Sequence, residues 1–335
     1  MKKRTTIKDV AALAGVSCAT VSRTLCDRPE ISPETKEKVR SACAQLGYVP
    51  NAAAKGLTGQ FTHTLGVIVT DISSPNFYGM ATAIEETAAA HGYRVLLSNS
   101  LRDPELEIQA IENFMSRHVD GLLIYSISAG LQARHREIMG DLPCVYLGVD
   151  HNEDCSYVMA DNEMGGYIGT KYLLDLGHKD ILFAGGRPAS RTRELRIRGF
   201  RRAMQEAGLT GRVVTGEREL SFMRQWTTQE ALDILSDPLP DAIFAFCDFV
   251  AIKLMEACRL RGIRIPEDLS LIGFDNIDLA ALPRVNLTTV SQKRHRQGAL
   301  AALRLLDKIG GKEEHIADVL EPELIIRSTC AKKNN

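Results

Sequence analysis

Two sets of side chains in this sequence have types and spacings suited to chemistry. The first is Cys18, Ala19, Ser22 and Arg23, within the stretch TIKDVAALAGVSCATVSR from Thr6 to Arg23. On a helix whose Val21 and Leu25 face inward, these four face outward, and a guanidinium among small neighbours can donate two bonds to the edge of a guanine. The second is Arg187, Arg191, Arg193, Arg196 and Arg198, crowded at a helix start with Glu194 as the lone acid. Cations oppose the positive end of a helix dipole. The crowd therefore points either to a bound anion, such as a sugar acid or sugar phosphate, or to a solvated surface with salt bridges to a facing lobe.

Other chemistries find no support. A nucleophile with its base, a metal-ligand cluster and a cofactor fingerprint are all missing from the pattern, so no catalytic residue, metal or cofactor is expected. Gly185-Gly186 looks like a phosphate loop but lacks the rest of that motif, and it reads as a strand-to-helix turn. The eight cysteines include no C-x-x-C pair, which suits reduced thiols. No apolar run approaches spanning length, and MKKRTTIKDV is not a secretory signal, so the expected location is cytoplasmic, away from membranes.

The first set needs a compact scaffold. Thr6 and Asp9 form a reciprocal cap, Val10 and Ala14 share a face, Gly15 suits a left-handed helix end, and Ser17 caps a second helix. That is helix-turn-helix geometry, whose second helix lies in the major groove of DNA. Ser32-Pro33-Glu34 opens a third helix carrying Val39, Cys43 and Leu46 on one side. Charge divides the chain likewise: residues 1–60 carry +5 and residues 61–335 carry −6. Such a basic head suits phosphate binding, against an alternative of ordinary surface scatter. Residues 50–59, PNAAAKGLTG, read as a short helix weakened by Gly56, marginal unless something holds it, or as a plain linker.

The body alternates continuous apolar runs with amphipathic stretches: LGVIV (65–69), RVLLS (94–98), GLLIY (121–125) and CVYLGV (144–149), then DILFAGG (180–186), AIFAF (242–246) and LSLIGF (269–274). Helices are expected near 77–91, 104–117 and 130–139. Two parallel α/β lobes follow, and a cleft beyond their strand ends is the natural place for a small molecule.

TIKDVAALAGVSCATVSR, ISPETKEKV, LGYVPNAAAKGL, VDGLLIYS, LGHKDILFAGG, RIRGF, IPEDLSLIGFDN and LTTVSQ together resemble the lactose-repressor family of bacterial transcription regulators, nearly end to end. The resemblance implies an all-α helix-turn-helix headpiece (1–50), a hinge helix and linker (51–64), and an α/β two-lobed core with parallel sheets, similar to periplasmic sugar-binding proteins (65–335). It also implies three crossings between lobes, with a first lobe of about 65–161 and 291–322 and a second of about 162–290 and 323–335. A homodimer on a near-palindromic operator is implied, and the end at STCAKKNN leaves no heptads for a tetramer. DNA contacts carry over to Ser17, Cys18, Ala19, Thr20, Ser22 and Arg23, and to Asn51, Ala54 and Leu57 in the hinge, with Leu57 as a minor-groove wedge.

Effector contacts carry over to Asn76, Phe77, Thr192, Arg196, Phe222, Asp248, Asp275 and Gln292. Arginine and carboxylates suit hydroxyl pairs, and aromatics suit the apolar face of a sugar. Asn76 and Cys247 depart from the family pattern, so the ligand's identity does not transfer. Without the resemblance, Phe77 and Phe222 read as core aromatics, Asp275 as a turn residue and Asp248 as a helix cap. The expected function is an effector-controlled repressor, with sugar, sugar acid or sugar phosphate as effector; a regulator answering mainly to a partner protein is the rival.

Overall fold

The structure, a computed structural model, describes residues 5–25, 27–48, 61–126, 129–148, 155–186, 190–214, 227–235, 238–312 and 315–333. The chain divides into two units, residues 1–62 and 63–335.

In the first unit, α1 (Ile7–Ala14), α2 (Cys18–Leu25) and α3 (Pro33–Leu46) enclose a small core of Val10, Ala11, Val21, Val39 and Ala42. Asp9 accepts bonds from the Thr6 N–H (2.8 Å) and hydroxyl (2.7 Å), so the reciprocal cap exists. Gly15 stops α1 at φ 67°, ψ 33°, donating its N–H to the Ala11 carbonyl, a geometry that a Cβ would strain. The Ser17 hydroxyl accepts from the Thr20 N–H at 3.1 Å, and that of Ser32 from Thr35 at 3.3 Å, so a turn and two caps set the helix directions.

The second unit is built on two six-stranded sheets. The first contains β1 (Thr64–Val69), β2 (Arg94–Asn99), β3 (Gly121–Ile124), β4 (Cys144–Leu147), β5 (Tyr157–Ala160) and β11 (Ala317–Leu320), in the order β11-β5-β4-β3-β1-β2, with every pair parallel. The second contains β6 (Ile181–Ala184), β7 (Arg212–Val214), β8 (Ala242–Ala245), β9 (Ser270–Asp275), β10 (Thr288–Ser291) and β12 (Glu323–Ile325), in the order β12-β10-β9-β8-β6-β7. Only its β10–β12 pair is antiparallel. Sheet membership makes the chain pass between lobes after β5, after β10 and after β11.

Helices cover both faces of each sheet, which is why the strands read as unbroken apolar runs. In the first lobe α4 (Pro75–Ala90) and α11 (Arg294–Ile309) pack on one face, while α5 (Pro104–Ser116) and α6 (Gln132–Met139) pack on the other. In the second lobe α7 (Asn162–Asp175) and α8 (Arg191–Glu206) oppose α9 (Thr228–Ile234) and α10 (Asp248–Arg261). The edge strands are the exceptions, with Leu97 of β2, Val214 of β7 and Val319 of β11 exposed. No helix among the described residues is long and apolar enough to cross a membrane.

Candidate functional sites

In the first unit α2 is amphipathic as its sequence predicts. Val21 and Thr24 are buried; Ser17, Cys18, Ala19 and Arg23 are exposed, and Thr20 and Ser22 are half-buried. Ser17 caps this short helix, and the other five lie on it, Cys18, Ala19 and Arg23 facing outward. Asp27, at the other end of the helix, accepts from Lys36 (2.9 Å) and Arg40 (3.3 Å), and these two cations hold its carboxyl below the usual range. Asn51, Ala54 and Leu57 lie outside the described residues.

The second site gathers at the carboxyl ends of β8, β9 and β10. Arg196, on α8, is buried at 3% exposure, with its guanidinium carbon over the Phe274 ring, 3.5 Å from the centroid, and 4.7 Å from that of Phe246. Its Nε donates to Asn162 Oδ1 (2.9 Å), Nη1 to the Phe246 carbonyl (2.5 Å) and Nη2 to Asp275 Oδ1 (3.4 Å). Gln292 Nε2 donates to that same Asp275 oxygen. Two donors thus converge on Oδ1, and among the described residues both of these bonds leave Oδ2 of Asp275 without a protein donor. Burial outweighs the neighbouring Arg196 and Arg294 and raises the Asp275 carboxyl pKa.

Asp248, expected as an effector contact, opens α10. It is fully buried; one oxygen accepts from the Ile277 N–H at 2.8 Å and the other from the Thr289 hydroxyl. With a bond accepted on each oxygen it buttresses the turn after β9. Burial and the facing Asp275 push its carboxyl up to about 7. Cys247 beside it is buried, and its thiol is raised to about 12 chiefly by desolvation.

Phe77 is 4% exposed within the first-lobe core and meets Tyr125 edge-on at 5.6 Å, so the duller reading as a core aromatic describes its packing. Thr192 is half-buried one helical turn before Arg196. Asn76 follows Pro75 in the first turn of α4, and Phe222 lies outside the described residues. Sequence reasoning missed Tyr125, whose phenol has Arg196, Asp275 and Arg102 as charged neighbours and whose pKa burial raises. It also missed Asn162, Phe246, Phe274 and Arg294; a strand-ending aromatic followed by Asp was the one available signal, at Phe274-Asp275.

The arginine crowd is resolved by protein acceptors. Arg191 pairs with Glu194 (2.9 Å), Arg193 donates to the Gly185 carbonyl (2.9 Å), and Arg198 pairs with Glu163 (2.7 Å). Arg187 lies outside the described residues. The remaining four each have a protein acceptor, a carboxylate for Arg191, Arg196 and Arg198 and a backbone carbonyl for Arg193.

Residues 6–51 match the profile described as bacterial regulatory proteins, lacI family, and residues 170–330 match the periplasmic binding protein-like domain. The HTH-type transcriptional repressor PurR of Vibrio cholerae serotype O1 is 36% identical over 336 residues, covering 97% of each chain. This chain belongs to the lacI family. It is therefore a DNA-binding transcriptional regulator with a ligand-binding type of core. Among solved lacI-family structures, that of the Lac repressor dimer bound to operator and the anti-inducer ONPF matches with a TM-score of 0.85 at 26% identity, covering 98% of this chain and 100% of that one. A complex of the regulator CelR with cellobiose matches with a TM-score of 0.71 at 28% identity, covering 97% and 100%.

Proposed function

We propose that this chain is a repressor that acts as a cytoplasmic homodimer on a near-palindromic operator and is switched by a small polyhydroxylated metabolite held between its lobes. It is not an enzyme in this reading. The DNA contacts proposed are Ser17, Cys18, Ala19, Thr20, Ser22 and Arg23, with Arg23 reading a base and the hinge residues Asn51, Ala54 and Leu57 engaging the minor groove.

One observation carries the effector assignment. Among the described residues Asp275 receives both Arg196 and Gln292 on Oδ1, which leaves its Oδ2 as an acceptor beside a guanidinium lying over an aromatic ring. Hydroxyl groups satisfy such an acceptor, while a carboxylate or phosphate there would face a like charge. A neutral sugar or polyol fits better than a sugar acid or phosphate, in keeping with the matched arginines and with cellobiose in the CelR complex. Exposed Ile72, Tyr78, Leu97 and Leu101 around α4 and the β2 edge supply apolar surface for a second copy.

The test is a thermal-shift screen of the full chain against sugars, polyols, sugar acids, sugar phosphates and nucleosides, followed by operator binding with each hit. A neutral polyhydroxylated hit should shift the melting temperature and change operator affinity, with saturation near 100 times Kd adding roughly 2.7 kcal/mol. If no metabolite shifts the transition, control by a partner protein replaces this reading. If only anionic compounds do, the Asp275 argument fails.

A further inference from the structure

We propose that Arg294 is a positioning residue that clasps the two lobes at the candidate effector site and sets how far they open. Its Nη1 donates to the Pro75 carbonyl at 2.7 Å and its Nη2 to the Asn276 carbonyl, also at 2.7 Å. Pro75 begins α4 in the first lobe, directly before Asn76 and Phe77; Asn276 follows Asp275 in the second. One planar fork therefore joins the segments that bring effector residues from opposite lobes.

The placement is costly without such bonds. Arg294 opens α11, where the helix dipole disfavours a cation, and its side chain is only 10% exposed. Asp278 does little to offset this, at 3.9 Å and almost fully exposed. The guanidinium answers to the two carbonyls through its hydrogen bonds and to the buried Asp275 and Asp248 carboxylates through their charge.

Each end of the clasp is anchored. On the first-lobe side α11 lies so close to α4 that a Cβ on Gly298 would sit 2.3 Å from the Met80 carbonyl oxygen, so Arg294 and Pro75 move as one body. On the other side Asn276 adopts φ 52°, donates its N–H to the Thr289 hydroxyl (3.4 Å) and receives Arg327 Nη2 on its side-chain oxygen (2.7 Å). Opening the lobes must therefore stretch the Arg294–Asn276 bond, because neither anchor can follow. The functional meaning rests on the effector reading above, whereas the clasp itself is tested without any effector.

Hydrogen exchange on the full-length protein compares wild type with Arg294→Ala and Arg294→Lys. In Arg294→Ala the amides of Asn276 to Asp278 and Phe77 to Met80 should exchange at least about tenfold faster, while those of β1 and β8 stay unchanged. Millimolar guanidinium chloride, and not equal sodium chloride, should restore protection. Arg294→Lys keeps charge and stem, so it covers the case in which the alanine variant fails to fold; a point-like ammonium cannot span both carbonyls, and the same pattern should appear at smaller size. Acceleration confined to the first turn of α11, or a lysine variant identical to wild type, overturns the proposal. A failed metabolite screen with this exchange pattern intact would count against the effector reading alone.

Discussion

Gly166 on α7 faces the backbone of Arg196 on α8 so closely that a Cβ at 166 would lie 2.1 Å from the Arg196 carbonyl oxygen. The contact fixes the guanidinium's origin, because the obstacle is backbone and cannot rotate away. Gly166→Ala should therefore push the two helices apart at a cost of about 1–3 kcal/mol, and it should weaken effector binding as well. Urea denaturation together with effector titration checks both effects; an alanine variant as stable and responsive as wild type would show that the helices shift freely.

Arg196 holds Asn162, Phe246 and Asp275 at once. Arg196→Ala should abolish the response to whichever metabolite the screen identifies and take from buried Asp275 its ion-pair partner, leaving Gln292 and the charge of Arg294, at a cost of about 3–5 kcal/mol. The headpiece lies in a separate unit of the chain, so operator binding without effector should persist. Calorimetry and operator titration of the same preparation decide the matter, and an intact response would move the effector elsewhere.

Arg23 is exposed on α2 and available to a base edge. Arg23→Ala should cost about 1–3 kcal/mol of operator affinity and relax preference at one base pair per half-site. Wild-type binding should also fall steeply as salt rises. Fluorescence anisotropy with operator and scrambled duplexes at several salt concentrations reads both, and an equal loss on the two duplexes would reassign Arg23 to phosphate contact.

Asp248 gives a pH signature of definite sign. Its carboxyl is raised from 3.8 to about 7, so between those values the native state binds more protons than the unfolded chain. Stability should then fall as pH rises through that window and level off above it. Asp248→Asn preserves the acceptor for Ile277 and removes the titration, so the wild type should lose stability relative to the variant between about pH 4 and about pH 7. Parallel urea midpoints for the two proteins across that range would refute the assignment.

The sequence by itself determined whatever is local or periodic. Capping at Thr6, Ser17 and Ser32, the left-handed Gly15 and the inward Val10, Val21 and Val39 are dictated by chemistry within a few residues, so the headpiece was legible. The long apolar runs likewise marked β1, β3, β6, β8 and β9, since strands buried on both faces need unbroken hydrophobicity. Strand β10, Thr288–Ser291, escaped that rule because its threonines are buried with their hydroxyls satisfied by partners far along the chain, Asp248 and Arg327 among them. Partnership of this kind is invisible to periodicity. Residue types also could not separate Asp275, whose described donors share one oxygen, from Asp248, whose two oxygens each accept a bond, nor show that Arg191, Arg193, Arg196 and Arg198 each had an acceptor. Those distinctions depend on which donors long-range folding brings within about 3 Å, a distance that only tertiary packing sets.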